Sequence, residues 1–433
     1  MAIFEETTQK KINKTLSYRY VVFGVIALAY FFVFFHRMST AVMAKDLATD
    51  FGVDPVAVGL FGSMYFYAYA LSQLPAGILV DRWGVRKTTT LFTFIAGCAT
   101  LLFGMANSFN VALTARFLVG LGVAFMYVPA LRILADWFRK NEYSTYSSIL
   151  VAIGNVGALA ASAPLAALIV AITWRNTMMI IGVITIIIAA LLYIFIRNKP
   201  VDIGGASMPE IEQIPLVCSP PISIPAAFKV LFRKYNFWTI IVLYFIWIGT
   251  LMAFQGLWAG PYLMNVFNLS QGEAGNILML IAVGAIVGLP IFGIIADRVM
   301  KSKKKVIMIG FISYVLVWIP FVFFTDSMSL NLVRILMFLF GFFGYCQIIV
   351  WANVKENVDL VMLGTASGII NFFGFTGGAV YQQLMGVIIA KAPVTNNLIG
   401  VASFKAAFLF CFISLLIAFA FYITQKEIGS KRI

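Results

Sequence analysis

The stretch Gly77-Ile-Leu-Val-Asp81-Arg82-Trp-Gly84-Val-Arg86-Lys87 lies between two long apolar runs and has a partial copy later in the chain. The copy is Gly293-Ile-Ile-Ala-Asp297-Arg298, and several lysines follow it. The two Asp-Arg pairs stand 216 residues apart, which is half of this 433-residue chain. The sequence therefore predicts two repeated halves, each with a short charged turn between two apolar helices.

The composition predicts a membrane protein. Hydrophobic residues make up 62% of the chain, charged residues only 11%, and the mean hydropathy is +0.96. Soluble domains carry about 25% charged residues. Apolar runs of roughly 20 residues, the length that a bilayer requires of a helix, recur along the whole chain. No small-residue cleavage site follows the first run, so we expect it to be retained as a span rather than removed as a signal peptide.

The apolar runs predict an all-α protein with twelve transmembrane helices. We place the spans at residues 20–43, 58–80, 88–106, 110–134, 147–171, 176–196, 237–267, 275–296, 306–325, 330–352, 364–390 and 402–424. Twelve spans put both termini on one side, and the loops of that side hold 23 of the 31 Lys and Arg residues against four on the other side. The positive-inside rule then makes both termini cytoplasmic. The net charge of +14 thus reflects topology in a cytoplasmic (inner) membrane, not a nucleic-acid partner.

The longest hydrophilic segment is rich in proline and divides the chain. It predicts a cytoplasmic tail at 1–19, a six-helix bundle at 20–197, a cytoplasmic linker at 198–236, a second six-helix bundle at 237–425 and a cytoplasmic tail at 426–433. Within the linker, residues 226–234 mix apolar and basic side chains at helical spacing, which indicates either a short interfacial helix or a plain linker.

The repeat extends beyond the charged turn. Arg116 is followed by Tyr127 after eleven residues, and Arg334 is followed by Tyr345 at the same distance. These features together resemble the major facilitator superfamily of transporters, whose charged turn between the second and third helices matches residues 77–87. The resemblance implies two pseudo-symmetric six-helix bundles with a binding site near the midplane, alternating access and a functional monomer.

Charges inside the spans indicate the kind of solute. None of the 17 acidic residues lies in mid-span, whereas four arginines (Arg37, Arg116, Arg132 and Arg334) do. A guanidinium in hydrocarbon costs about 2.5–3.5 kcal/mol even on mild scales, so it is expected to face a wet cavity, a partner or a substrate. Arginines without carboxylates favour a carboxylate or phosphate ligand.

Seven residues are candidates for substrate contact, and a packing or backbone-bonding role is the alternative for each of them. They are Arg37, Arg116, Tyr127, Gln255, Trp258, Tyr262 and Asn371. Pro261 and the flanking Gly256 and Gly260 indicate that the seventh span breaks there and exposes backbone polar groups to a cavity. His36, the only histidine, is a candidate for proton coupling, with simple packing as the alternative.

The family resemblance also implies a cytoplasmic gate of charged residues that pair and separate during transport. Its members in this chain are Asp81, Arg82, Arg86, Arg132, Asp136, Asp297, Arg298 and Glu356. Arg132 is assigned to this group because it precedes Asp136 by one helical turn.

The resulting hypothesis is a secondary transporter that takes up a small organic anion of the carboxylate type, coupled to a proton or sodium ion. Arg37 and Arg116 resemble the anion:cation symporter branch, although Val123 stands where that branch commonly has a glutamate and His36 stands where it has an acid or amide. An amino acid or other zwitterionic nutrient is the alternative, and multidrug efflux is a third reading. No nucleotide-binding, metal-binding or catalytic motif is present in the sequence, so no enzyme activity, cofactor or metal is expected.

Overall fold

The computed structural model describes residues 2–212, 224–296, 300, 302–358, 362–391 and 399–425, and in these ranges it contains helices and no strand. The helices are α1 (Ala2–Met38), α2 (Thr40–Phe51), α3 (Pro55–Gly104), α4 (Phe109–Ala124), α5 (Tyr127–Trp137), α6 (Lys140–Ala160), α7 (Ala163–Phe195), α8 (Met208–Glu212), α9 (Ile224–Arg233), α10 (Tyr235–Ala253), α11 (Ala259–Val266), α12 (Gln271–Ile294), α13 (Lys303–Phe323), α14 (Leu330–Gly344), α15 (Val350–Asn357), α16 (Leu363–Ala390) and α17 (Val401–Ile423). The all-α class is confirmed for this part of the chain. The short helix predicted in the linker is present as α9.

Two of the helices are too long to be single spans. α3 has 50 residues, or about 75 Å at 1.5 Å per residue, against a hydrocarbon core of about 30 Å. It turns at Gly84, whose φ of 78° suits glycine, and a Cβ there would meet the Asn198 carboxamide at 2.7 Å. α7 turns at Thr173, where φ is 70°. By length and hydropathy, ten stretches of described helix are suited to cross a membrane; the number twelve and the side of the termini remain predictions.

The chain forms two compact units. The first comprises Met1–His36, Leu71–Gly157 and Arg175–Pro220, and the second comprises Arg37–Ala70, Ala158–Trp174 and Pro221–Ile433. The predicted bundles at 20–197 and 237–425 were divided at the hydrophilic, proline-rich segment instead, and that division stays a prediction.

In the first unit, α1 is held at two levels. Towards its C-terminus, Gly157 of α6 lies so close to the Phe31 carbonyl that a Cβ could not be accommodated. Around its middle, Arg19 forms an ion pair with Glu142 at 2.7 Å, and the Thr15 hydroxyl donates to the Ala206 carbonyl at 2.9 Å. Because α1 starts at Ala2, the predicted tail at 1–19 continues the helix.

In the second unit, α10 packs chiefly on α16, α12 on α14, and α13 on α17. The contact between α12 and α14 is made through glycine: Gly284 faces the Phe338 carbonyl, and Gly341 faces the Ile281 carbonyl. Small residues allow helix backbones to approach closely. In a lipid bilayer the hydrophobic effect does not drive helices together, so the van der Waals contacts of such close packing stabilise their association. These helices form the frame on which the site below is built.

Candidate functional site

Arg37 lies in the last turn of α1 and its side chain is buried, with 6% of the residue exposed. The guanidinium carbon is 5.1 Å from the ring centre of Tyr69 on α3 and 5.0 Å from that of Phe375 on α16. The two rings touch each other, with centres 4.2 Å apart. Aromatic faces attract a cation without adding a negative charge, so these two rings hold the guanidinium without neutralising it.

A break in the helix after α10 brings an amide to the same region. Phe254–Trp258 form a π-helical turn, an irregularity that is frequent at functional sites. Pro261 lacks an N–H and cannot continue the regular hydrogen-bond pattern, which explains why the irregular turn precedes it. The predicted break in this span is therefore present. It places the Gln255 side chain inside the second unit, where that residue is only 7% exposed.

Gln255 is paired with a tyrosine from another broken helix. The Tyr345 hydroxyl donates to Oε1 of Gln255 at 3.2 Å. Tyr345 opens the 3-10 segment Tyr345–Ile349 that follows α14. Gly256, next to Gln255, lies close to the end of α1, since a Cβ there would be 3.8 Å from the Arg37 carbonyl oxygen. We define Arg37, Tyr69, Phe375, Gln255 and Tyr345 as the Arg37 site.

The other candidates of the second unit are placed around this site rather than in it. The Trp258 indole donates to the Gln382 carbonyl at 3.0 Å, and the Tyr262 hydroxyl donates to the Thr325 carbonyl at 2.6 Å. Both polar atoms are thus engaged with backbone. Asn371 is partly exposed and precedes Phe375 by one turn of α16, so the two residues share a helix face.

Three further candidates lie in the first unit. Nη1 of Arg116 donates to the His36 carbonyl at 2.9 Å, and this carbonyl belongs to the peptide bond that joins His36 to Arg37. The His36 ring bonds the Thr185 hydroxyl at 3.2 Å and is buried. Tyr127 stacks on Tyr30 with ring centres 5.8 Å apart. Arg116 therefore anchors the end of α1 immediately before Arg37.

Part of the predicted cytoplasmic gate is assembled within the first unit. Nε of Arg132 bonds Asp136 at 3.0 Å, and Nη1 of Arg132 lies 3.9 Å from Asp81. Arg132 thus connects the charged turn of α3 with α5. All three side chains are at least partly exposed to solvent, so their pairs are readily made and broken.

The remaining predicted gate residues differ in their placement. Nε of Arg86 donates to the Tyr193 carbonyl at 2.8 Å, and its guanidinium carbon lies 4.4 Å above the Tyr193 ring, so Arg86 binds α7. Arg82 is exposed. Asp297, Arg298 and the side chain of Glu356 lie outside the described residues.

A network of amides in the second unit was not predicted. Asn353 on α15 accepts from both Asn357 and Gln425, and Gln425 contributes its carbonyl to the Lys304 ammonium. Isolated asparagines in a polar segment carry no periodic signal, so the sequence could not group them. Phe375 was also missed, because a phenylalanine in an aromatic-rich chain gives no sign of contact with a cation.

The described residues contain no group of three or more His, Cys, Asp or Glu side chains that could hold a metal ion. The chemistry that the Arg37 site offers is therefore recognition by one cation, aromatic faces and a hydroxyl–amide pair. Apolar helices of this length and number are those of a multi-pass membrane protein.

Comparison with known proteins identifies the family. The family model of the Major Facilitator Superfamily matches residues 26–381. The probable sulfoacetate transporter SauU of Cupriavidus necator is 22% identical over 92% of this chain and 95% of its own length. The probable galactarate/D-glucarate transporter of Escherichia coli is 25% identical over 89% of this chain and 90% of its own length. The hexuronate transporter of Bacillus subtilis is 23% identical over 86% and 88%, respectively.

Solved structures agree at the level of the fold. A D-xylose–proton symporter superposes with a TM-score of 0.76 at 12% identity, covering 95% of this chain and 98% of that chain. A bacterial homologue of the human lysosomal transporter Spinster, in an inward-facing and occupied conformation, superposes with a TM-score of 0.74 at 18% identity, covering 94% and 97%. The chain belongs to the major facilitator superfamily, and it is a multi-pass membrane transporter.

Proposed function

We propose that the protein transports a small organic anion across the cytoplasmic (inner) membrane, and that Arg37 binds the anionic group. The observation that carries this proposal is the placement of Arg37: a buried cation against two aromatic rings, beside the Gln255–Tyr345 pair. No acidic residue of the chain lies inside a predicted span to cancel this charge. A guanidinium in such surroundings prefers a planar anion that can accept two parallel hydrogen bonds.

The names of the relatives support this substrate class. Sulfoacetate, glucarate and hexuronate all carry a carboxylate, and two of them carry hydroxyl groups as well. In this chain the Gln255 amide and the Tyr345 hydroxyl supply the donors and acceptors that hydroxyl groups need. A zwitterionic nutrient is a weaker alternative, because its ammonium group would need a carboxylate or several carbonyls next to Arg37.

Uptake coupled to a proton or sodium ion, two six-helix bundles with cytoplasmic termini, and a functional monomer complete the proposal. The candidate for proton coupling is His36, which is buried and bonds the Thr185 hydroxyl.

A thermal-shift screen of the purified protein tests the substrate class. The compounds are sulfoacetate, galactarate, a hexuronate, neutral sugars, amino acids and cationic drugs. At about 100 times its dissociation constant a ligand adds roughly 2.7 kcal/mol to the free energy of unfolding. We expect stabilisation by one or more of the carboxylates and none by neutral sugars or cationic drugs.

Two arginine variants make the test specific to the site. Arg37→Gln should remove the stabilisation by anions, whereas Arg334→Gln should keep it, because Arg334 is exposed and bonds Asn331 at the start of α14. Stabilisation that persists in Arg37→Gln, or that comes only from amino acids or cations, contradicts the proposal. Uptake of the identified anion into proteoliposomes, with a proton or sodium gradient imposed in turn, then identifies the coupling ion.

A further inference from the structure

The short helix α2 follows Arg37 almost directly and is bonded on two sides. α1 ends at Met38 and α2 begins at Thr40, so a movement of α2 acts on the end of α1 through one residue. Near its C-terminus, Asp50 accepts a hydrogen bond from the Trp174 indole at 2.7 Å. This bond connects α2 to the turn of α7, which belongs to the same half of the sequence.

The second bond of α2 reaches the other half of the sequence. Nε2 of Gln271, the first residue of α12, donates to the Val42 carbonyl at 2.6 Å and to Oδ2 of Asp46 at 2.9 Å. Gln271 and Asp46 are 225 residues apart in the chain. Nearby, Gly260 of α11 lies against the Ala41 carbonyl with no room for a Cβ. The first turns of α2 are thus closed onto α11 and α12.

A cavity of about 440 Å³ lies next to this contact. Its lining includes Ala44, Lys45 and Ala48 from α2 and Trp258, Pro261 and Asn265 from the broken span. The volume falls within the roughly 300–1,000 Å³ that is typical of small-molecule sites. Trp258 belongs to the same π turn as Gln255, so one turn of backbone separates this cavity from the Arg37 site.

We propose that this cavity is the entrance from the non-cytoplasmic side to the Arg37 site, and that the bonds of Gln271 to Asp46 and Val42 form the latch that keeps it shut. Arg37 is buried, so a solute can reach it only if a covering segment moves. α2 is the segment that links the cavity wall to the end of α1. Breaking the Gln271 bonds frees α2 from α12 while the Asp50–Trp174 bond keeps it attached to α7. The assignment of Arg37 as the solute-binding residue and the non-cytoplasmic side of the entrance rest on the proposed function; the Gln271 bonds themselves do not.

Asp46 makes the latch sensitive to acid. Burial raises the pKa of the Asp46 carboxyl, neighbouring Asp50 raises it further, and both the Gln271 hydrogen bond and Lys45 oppose the rise. α11 carries no charged residue, and the charged residue of α12 is Glu273, which is bonded to Ser270. A released Asp46 faces water and has its ordinary pKa. The latched form therefore binds the proton more tightly, and falling pH favours the closed entrance.

The test measures how often the latch opens, using a cysteine placed under it. Val42 is 2% exposed, and Val42→Cys keeps the backbone carbonyl that accepts from Gln271. Cys98, which is exposed, and Cys218 are replaced by serine, the buried Cys346 and Cys411 are kept, and the protein without Val42→Cys serves as blank. The rate of reaction with a membrane-impermeant thiol reagent is measured on intact cells, without any substrate.

Gln271→Ala should raise the labelling rate roughly tenfold, since it removes one hydrogen bond to a charged acceptor and one to a carbonyl. Gln271→Glu should raise the rate further at pH 7.5, because two carboxylates then face each other, and lowering the pH to about 5 should reverse the increase. Asp46→Asn retains an oxygen that accepts from Gln271, so it should label slowly at every pH.

The double variant Asp46→Asn/Gln271→Glu tests the pair directly. Its amide can donate to the new carboxylate, but that carboxylate cannot donate to the Val42 carbonyl, so labelling should be slower than in Gln271→Glu and remain faster than in the parent. Thr49→Ser is the matched control on the same helix and should leave the rate unchanged, because serine can also donate to the Lys45 carbonyl. Equal rates in parent, Gln271→Ala and Gln271→Glu, no rescue in the double variant, or labelling only in inside-out vesicles would each overturn the proposal.

The two proposals fail separately. If Arg37→Gln retains anion binding while the latch variants label as expected, the solute assignment is wrong and the latch stands. If Arg37→Gln loses binding and the latch variants label like the parent, the reverse holds.

Discussion

Arg37 and Arg116 are both buried arginines, but their surroundings differ. Arg37 faces two aromatic rings, whereas Arg116 donates a hydrogen bond to the His36 carbonyl. A hydrogen bond between a charged donor and a buried acceptor contributes about 1.5–3 kcal/mol to stability. Contacts of a guanidinium with aromatic rings do not use its N–H groups as hydrogen-bond donors to those rings, so these groups can bond a ligand. The two residues, which the sequence grouped together, are therefore expected to respond differently to the same substitution.

Arg116→Gln should lower the thermal stability of the purified protein while changing the dissociation constant of the transported anion by less than about threefold, a difference of roughly 0.65 kcal/mol. Arg37→Gln should weaken binding of the anion strongly while changing the thermal stability of the ligand-free protein little. The measurements are thermal unfolding without ligand and a ligand titration at fixed temperature. If Arg116→Gln abolishes binding at unchanged stability, Arg116 contacts the substrate as the sequence hypothesis has it.

Irregular helical turns hold two residues of the Arg37 site, whereas regular helices make the close contact between α12 and α14. Gln255 and Tyr345 both stand where an α-helix gives way to a π or 3-10 turn. By contrast, α12 and α14 are joined along regular stretches by reciprocal contacts of Gly284 and Gly341 with the carbonyls of the facing helix. A methyl group at either glycine has no space, so the helices would have to separate.

Gly341→Ala should destabilise the protein by about 1–3 kcal/mol, the usual cost of an extra methyl group in a packed interior. Gly24→Ala is the matched control, since Gly24 also lies within a long helix and a Cβ there meets nothing within 4 Å. The control should be neutral or slightly stabilising, because alanine favours the helix. The comparison is made by thermal unfolding in detergent; equal effects of both substitutions would mean that the α12–α14 contact is looser than described.

For the whole molecule, the sequence was most informative about properties that depend on long segments, such as hydropathy. Hydropathy and the repeated charged turn were enough to predict the all-α membrane class and the family. The position of Arg37 inside an apolar run was enough to make it a candidate for substrate contact, because a charge inside a bilayer has an unfavourable free energy unless it meets a partner, water or a ligand. The partners of Arg37 could not be predicted in the same way: Phe375 is 338 residues away in sequence and adds no polar atom. The Gln271–Asp46 hydrogen bond likewise joins two residues 225 positions apart, and no sequence pattern marks them as partners.

Asp81→Asn should slow transport more than it weakens binding, because Asp81 meets Arg132 at the charged turn and not at the Arg37 site. Initial rates of uptake into proteoliposomes and ligand affinity from thermal shifts separate the two effects. Asp202→Asn serves as control, being an exposed acid of the linker whose hydrogen bond to the Lys199 N–H an amide oxygen can also accept. Reduced affinity at an unchanged rate would remove Asp81 from the gate.

The contacts at the start of α1 have a consequence for biosynthesis. The Tyr18 hydroxyl donates to the Phe195 carbonyl, and Thr15 bonds Ala206, across 177 and 191 residues of chain, respectively. At a translation rate of about 5–20 residues per second, the first helix waits on the order of 10–40 seconds for these partners. It does not have to wait for the second half of the protein, because both partners precede α10. The ribosome can thus deliver a first unit in which these contacts of α1 are already made before the helices of the second half enter the membrane.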